Sequence, residues 1–272
     1  MTAVGATDSE FNDILTQAST HLAKVQTSAQ SLYDSVSAIW DWIPPWLKDD
    51  VNRFLTRAWD IVKELFDYVK DFVLNPGWPP ALFHAGEVWV DKVGLAASSA
   101  VGQTSLNYTQ VDDHWQGDAA TAYKNTLPAQ GLALGAIKTM CDALDTALKN
   151  MAGAIVAFWL ACIAGLLSAL PEFGAEEAAA DTGVGAPPAI LAFIASVVKL
   201  LGIISGAAAL LWAFSGSQIG PYTAMNQQLN NWNAFPARPG SAAQGNWPAA
   251  TTPGMSDASF LDGNDSNWRF LS

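Results

Sequence analysis

Apolar residues recur along the first part of the chain in alternating steps of four and three. They fall at Phe11, Leu15, Ala18, Leu22, Val25, Ala29, Leu32, Val36, Ile39 and Ile43. This is the repeat of a helix whose seam packs on another helix, and it predicts one long helix over 8–43. Asp8 or Ser9 is placed to cap it, since a short polar side chain accepts from free backbone N–H groups. Pro44-Pro45 ends it, because a proline forces the residue before it out of helical geometry. A second stripe, from Leu47 and Val51 through Leu65 to Phe72, predicts a helix over 46–74 with a mixed-charge outer face. The short connection makes the two helices antiparallel neighbours. Trp40, Trp42 and Trp46 are expected to close the end of that hairpin; an interfacial aromatic belt is the other reading.

"NPGWPP" at 75–80 is a firm break. A third helix is expected over 81–113, with Leu82, Gly86, Trp89, Val93, Ala96 and Ala100 on its seam. A fourth starts after Gly117, carries a seam through Leu127, Leu134, Ile137 and Cys141, and is expected to kink at Pro128. Then the pattern changes. Residues 151–170 hold no charge, and 188–214 hold one, Lys199. Between them "PEFGAEEAAADTGVGAP" predicts an acidic turn carrying Glu172, Glu176, Glu177 and Asp181. After about residue 232 no apolar period remains, and Pro, Gly, Ser and Asn dominate, so an irregular tail is expected.

The expected fold is therefore all-α: long antiparallel helical hairpins, an apolar hairpin and an irregular C-terminal tail. Four segments are expected: an amphipathic hairpin at 1–80, a second hairpin at 81–150, the apolar hairpin at 151–215, and a short helix with its tail at 216–272.

Composition narrows the chemistry. Charged residues make up 14% of the chain and the formal net charge is -12. Without a Lys/Arg cluster to follow a phosphate backbone, nucleic acid is not an expected partner. Cys141 and Cys162 fall on one helix about 30 Å apart, too far for a bridge, and read as buried apolar side chains. His21, His84 and His114 lack metal-ligand spacing, and no phosphate-binding loop follows a strand. The expectation is a protein that is not an enzyme, with no cofactor, no metal and no small-molecule substrate. "MTAVGATDSEFND" has neither a basic residue nor an apolar run, so no N-terminal signal peptide is expected.

"DDHWQGDAATAY" at 112–123 lies between two helices with matched seams. With 12 Trp and 21 Gly, about one W-x-G triplet is expected by chance, so placement must carry the argument. Gly117 suits a left-handed helix end and Asp118 the N-cap of the next helix. Trp115 sets a large ring on the apolar side of the turn. This helix, W-x-G turn and helix, over about 81–150, resembles the WXG family of type VII secretion substrates from actinobacteria and related bacteria. Trp115 and Gly117 match the two motif positions, and Ala119, Ala120 and Tyr123 suit the stretch that follows.

That resemblance implies export through a dedicated machine without an N-terminal signal, as a helical homo- or heterodimer. It departs from the family in one respect. The Tyr-x-x-x-Asp/Glu spacing occurs at Tyr108–Asp112, before the turn, whereas Tyr123 and Tyr222 are followed by Leu127 and Asn226. An export signal carried by a partner chain follows from that.

The apolar hairpin adds a lipid membrane as an expected partner. Twenty uncharged residues are long enough to cross a bilayer core of about 30 Å. A mid-helix lysine costs about 2.5–3.5 kcal/mol on insertion scales. Phe158, Trp159, Lys199 and Trp212 are the residues expected to mark this hairpin in a membrane, and the acidic turn would ease across on protonation. Gly202 and Gly206 are expected to let the helices approach closely. Three readings stand side by side: an exported protein that inserts in a pore-forming manner, a soluble interaction or scaffold protein with 151–214 as its core, and a resident two-pass membrane protein.

Overall fold

A computed structural model describes residues 7–109, 116–180, 185–218, 220, 223 and 224, apart from the side chains of Asp118, Ala119, Ala122 and Glu177. The fold is all-α, and the described residues include no strand. The principal helices are α1 (Asp8–Ala38), α2 (Pro45–Leu74), α3 (Pro79–Val88), α4 (Leu95–Gln103), α5 (Leu106–Thr109), α6 (Asp118–Ala180) and α7 (Ala186–Ser217). The chain divides into two compact units, residues 1–84 with 148–217 and residues 85–147 with 218–272.

In the first unit, α1 buries Phe11, Ile14, Ala18, Leu22, Val25, Ala29, Leu32 and Val36. The expected seam is there with one change: Ile14 is buried and Leu15 is half-buried beside it. The N-cap is Thr7, one residue before the expected Asp8 or Ser9. Its hydroxyl accepts from the Glu10 N–H, and the Glu10 carboxylate accepts from the Thr7 N–H, a reciprocal pair that serves two free donors. That releases Asp8 to accept the Trp78 indole N–H at 3.0 Å. Helix α2 buries Val51, Ala58, Ile61, Val62, Leu65 and Val69. The α1–α2 turn is closed by buried Ile43. Trp42 and Trp46 do not close it: they stand 85% and 77% exposed. Lys48 lies over the ring of Trp40.

The core of this unit joins α1 and α2 to residues 156–180 of α6 and to α7. Phe72 of α2 meets Phe158 of α6 with ring centroids 4.9 Å apart, and Phe173 of α6 meets Phe193 of α7 at 4.8 Å. The link between α2 and α3 seals one end. Gly77 there has φ +73°, and Ile155 sits against the space its missing Cβ would fill. Phe11 and Trp78 pack edge to face.

In the second unit the expected helix over 81–113 is broken. A π-helical turn, Trp89–Gly94, interrupts it, and a further break at Thr104-Ser105 precedes α5. The extra residue in a π turn advances the helix face by one position. The buried seam accordingly runs Gly86, Gly94, Ala97, and Trp89 and Ala96 of the expected seam are exposed. Close approaches pair Gly86 with Asp145, Gly94 with Cys141 and Thr104 with Gly131. One number rises as the other falls, so α6 runs antiparallel to the segment opposite it.

Helix α6 continues through both Pro128 and Pro171. The acidic turn expected from Pro171 onward is therefore shorter: Glu172, Glu176 and Glu177 lie in α6. Both prolines are exposed. The run Ala175 to Ala180 is rich in the strongest helix formers, which offsets the lost hydrogen bond. Pro187 and Pro188 begin α7, where first-turn N–H groups have no intrahelical partner to lose.

Candidate functional site

The apolar pair, α6 from Met151 onward and α7, is where the unusual chemistry of this chain concentrates. Its contacts set the register. Met151 Sδ accepts from Ser215 Oγ at 3.6 Å, Gly165 lies against Leu200 and Ile203, and Phe173 meets Phe193. The pairs run in opposite directions, so the two helices are antiparallel.

Gly165, rather than Gly202 or Gly206, provides the close approach. A Cβ at Gly165 would stand 3.0 Å from Ile203 Cγ2, whereas Gly202 and Gly206 have nothing within 4 Å and face outward. Ser205 donates to the Gly202 carbonyl of its own helix.

The four residues expected to mark the membrane hairpin separate into two pairs. Phe158 and Trp159 are buried against α1 and α2. The Trp159 indole N–H donates to the Pro76 carbonyl at 3.0 Å, which satisfies the one polar atom of a large buried ring. These two residues therefore mark the covered side of the pair. Lys199 and Trp212 point outward, Trp212 at 70% exposed.

On its outward side the pair carries Leu160, Leu167, Leu191, Val198 and Leu210, each 44% to 74% exposed. Small residues of the two helices are exposed as well, including Gly153, Ala157, Ala164, Ala195 and Ala209. Both helices are long and apolar enough to cross a membrane, yet 44% of one apolar window and 39% of the other is buried. A helix at the centre of a soluble bundle is buried on all sides. Here α1 and α2 cover one side only.

Polar groups gather toward one end of the pair. Lys199 Nζ and Glu172 Oε1 form a cross-helix ion pair at 2.8 Å. One turn on, Ser196 Oγ donates to Glu176 Oε1, also at 2.8 Å. The lysine read from sequence as an isolated mid-helix charge thus has a partner. It holds the Glu172 carboxyl below its ordinary range through their hydrogen bond, aided by Ser196. Glu176 is pushed the other way, chiefly by burial and further by the Glu172 carboxylate, against the pull of Ser196. Its Oε2 is buried with no hydrogen-bond partner. These pairings are legible only afterwards: Glu172 and Glu176 are four apart and Ser196 and Lys199 three apart, each the spacing of one helix face. Asp181 lies outside the described residues.

At the W-x-G stretch, Trp115 and His114 lie outside the described residues. Gly117 has φ +105°, the left-handed side that favours glycine, and its carbonyl accepts from the Thr121 N–H at 3.0 Å. Gly117 therefore holds the N-cap position of α6, and Asp118, expected there, is the first helical residue instead.

Elsewhere, Cys141 and Cys162 are buried and free on α6. His21 and His84 sit on separate helices, and the described residues include no group of three metal-ligating side chains. Comparison of the chain with family models, curated proteins and solved structures returns no match.

Proposed function

We propose that this chain is a non-enzymatic helical protein of the WXG type, exported by a type VII route, that acts through helix association and insertion of the α6/α7 pair into a lipid bilayer. The observation that carries the membrane part is the half-exposed outer side of that pair, apolar apart from the Glu172–Lys199 ion pair. Five large aliphatic side chains and Trp212 stand in water there. Covering them gains on the order of 5 kcal/mol at the usual worth of a buried apolar side chain. Length favours a bilayer over a single partner helix: residues 151–170 span about 30 Å at 1.5 Å per residue, the thickness of a hydrocarbon core. Supporting the WXG part are the left-handed Gly117 at the start of α6 and the antiparallel close approach of small residues across 86–145.

Purified full-length protein mixed with phosphatidylcholine vesicles at pH 7 and pH 5 is the test. The reading expects flotation with the vesicles and release of a trapped dye. Protein that stays monodisperse at the bottom of the gradient at both pH values, with 151–214 protected from hydrogen exchange without lipid, would instead establish the soluble interaction protein. Separating producing cells into medium, cytosol and membrane tests export. Recovery in the medium is expected, and retention in carbonate-washed membranes would make the chain a resident two-pass protein.

A further inference from the structure

A groove between α1 and α2 carries chemistry that neither the core nor the membrane reading uses. Gln30 and Tyr33 of α1 form one wall, and Asn52, Thr56, Trp59 and Asp60 of α2 the other, with Leu55 among them. We infer that this groove binds a small alkylated ammonium ion, free in solution, held by the two aromatic rings and the Asp60 carboxylate. The space is about 430 Å³, within the range of about 300–1,000 Å³ usual for small-molecule sites. No residue of α6 or α7 lines it, so the site does not depend on the apolar pair.

Two rings from different helices border one space. Trp59 is 47% exposed and Tyr33 51%. Neither belongs to the buried seam of its helix, which runs through other residues on both α1 and α2. Only Leu55 of the lining packs against the core. An aromatic face left open attracts a cation through the ring quadrupole, Trp most strongly.

The polar walls set the sign of the ligand. An ionised Asp60 is an acceptor only, and it makes no ion pair among the described residues. Arg57 and Lys63 lie within a turn of it on α2, but no lysine or arginine lines the groove. Thr56 spends its hydroxyl donor on the Asn52 carbonyl of its own helix. Gln30 donates an amide N–H to Asp34, which ties a second carboxylate to that wall. What these side chains still offer is mainly acceptors. An anion would be repelled there, and a neutral apolar ligand would leave Asp60 unpaired. A bare metal ion needs more oxygen ligands than the groove supplies, and aromatic rings cannot replace them. An ammonium ion clothed in alkyl groups suits both the rings and the carboxylate.

The test titrates full-length protein with choline chloride and, separately, with its neutral isostere, in which a tert-butyl group replaces the trimethylammonium. Saturation-transfer NMR reads the binding. Saturable choline binding is expected, with the neutral isostere about tenfold weaker or more. Trp59→Leu keeps the apolar bulk and the helix but removes the ring, and is expected to weaken choline binding about tenfold. Asp60→Asn is expected to weaken it severalfold. The comparison of the two ligands uses the wild-type chain, so it holds whatever the substitutions do to folding. Equal affinity for both ligands, or no choline binding, would overturn the inference. So would choline binding that neither substitution changes, since the site would then lie elsewhere. Trp59-dependent flotation on phosphatidylcholine but not phosphatidylglycerol vesicles, with free choline unbound, would overturn the soluble ligand in favour of a lipid headgroup.

Discussion

Glu176 and Glu172 sit one turn apart on the same helix and are pulled in opposite directions. A carboxyl whose value is raised by folding lends most stability below its ordinary value of 4.5, and that contribution is lost as pH rises through the raised value. A lowered one lends stability above 4.5, lost as pH falls through the lowered value. Glu176 thus makes the first unit more stable on mild acidification, and Glu172 less stable only in stronger acid. Glu176→Gln is expected to raise the Tm at pH 7 and to flatten the wild-type rise in Tm between pH 7 and 4.5. Thermal melts of both proteins across that range check this; an unchanged pH slope would remove Glu176 as the cause. Neither partner was legible at this scale. Glu172 and Lys199 are 27 residues apart, and only a tip shorter than the one implied by Pro171 brings them level.

At the scale of elements, much of the fold was legible. The four-and-three rhythm of α1 picks out seven of the eight residues its helix buries, because a charged outer face contrasts with the seam. The apolar pair offers no such contrast. Trp159 is buried and Leu160 exposed, yet both are apolar, so covered and open sides cannot be told apart by pattern. The π turn in 89–94 was equally silent, and it displaced the seam of the third expected helix by one residue.

Glycines show the same limit. Gly202 and Gly206 look like a contact stripe, but Gly165 makes the contact. Gly165→Leu is expected to destabilise the pair by about 1–3 kcal/mol, since Ile203 must give way to the new side chain. Gly174→Ala, with open space around it, is expected to stabilise by about 0.5–1 kcal/mol through helix propensity alone. Denaturant midpoints of the two variants against wild type check both signs. Equal effects would mean that the α6/α7 contact at Gly165 is not made.

At the scale of the whole molecule, the chain groups 1–84 with 148–217, so the amphipathic helices and the apolar pair share one core. The sequence presents them as successive segments, and nothing in hydrophobic periodicity says which seam meets which. Membership in one core has a functional edge under the membrane reading. The helices that keep half of the pair out of water are the ones that must leave it.

The link between α2 and α3 is where that departure is resisted. Trp78 reaches Asp8 and Phe11 at the start of α1, while the Pro76 carbonyl holds Trp159 of α6. Three helices are fastened there by a few side chains. Such a clasp lowers the free energy of the unopened state, so it both delays opening and opposes it. Trp78→Ala is expected to shorten the lag before dye release from vesicles, with the final extent no smaller, and stopped-flow leakage traces would show it. A lag that does not move would assign the delay to another step. Under the membrane reading, the Asn75–Trp78 link would act as a timer, setting the interval before the apolar pair is released.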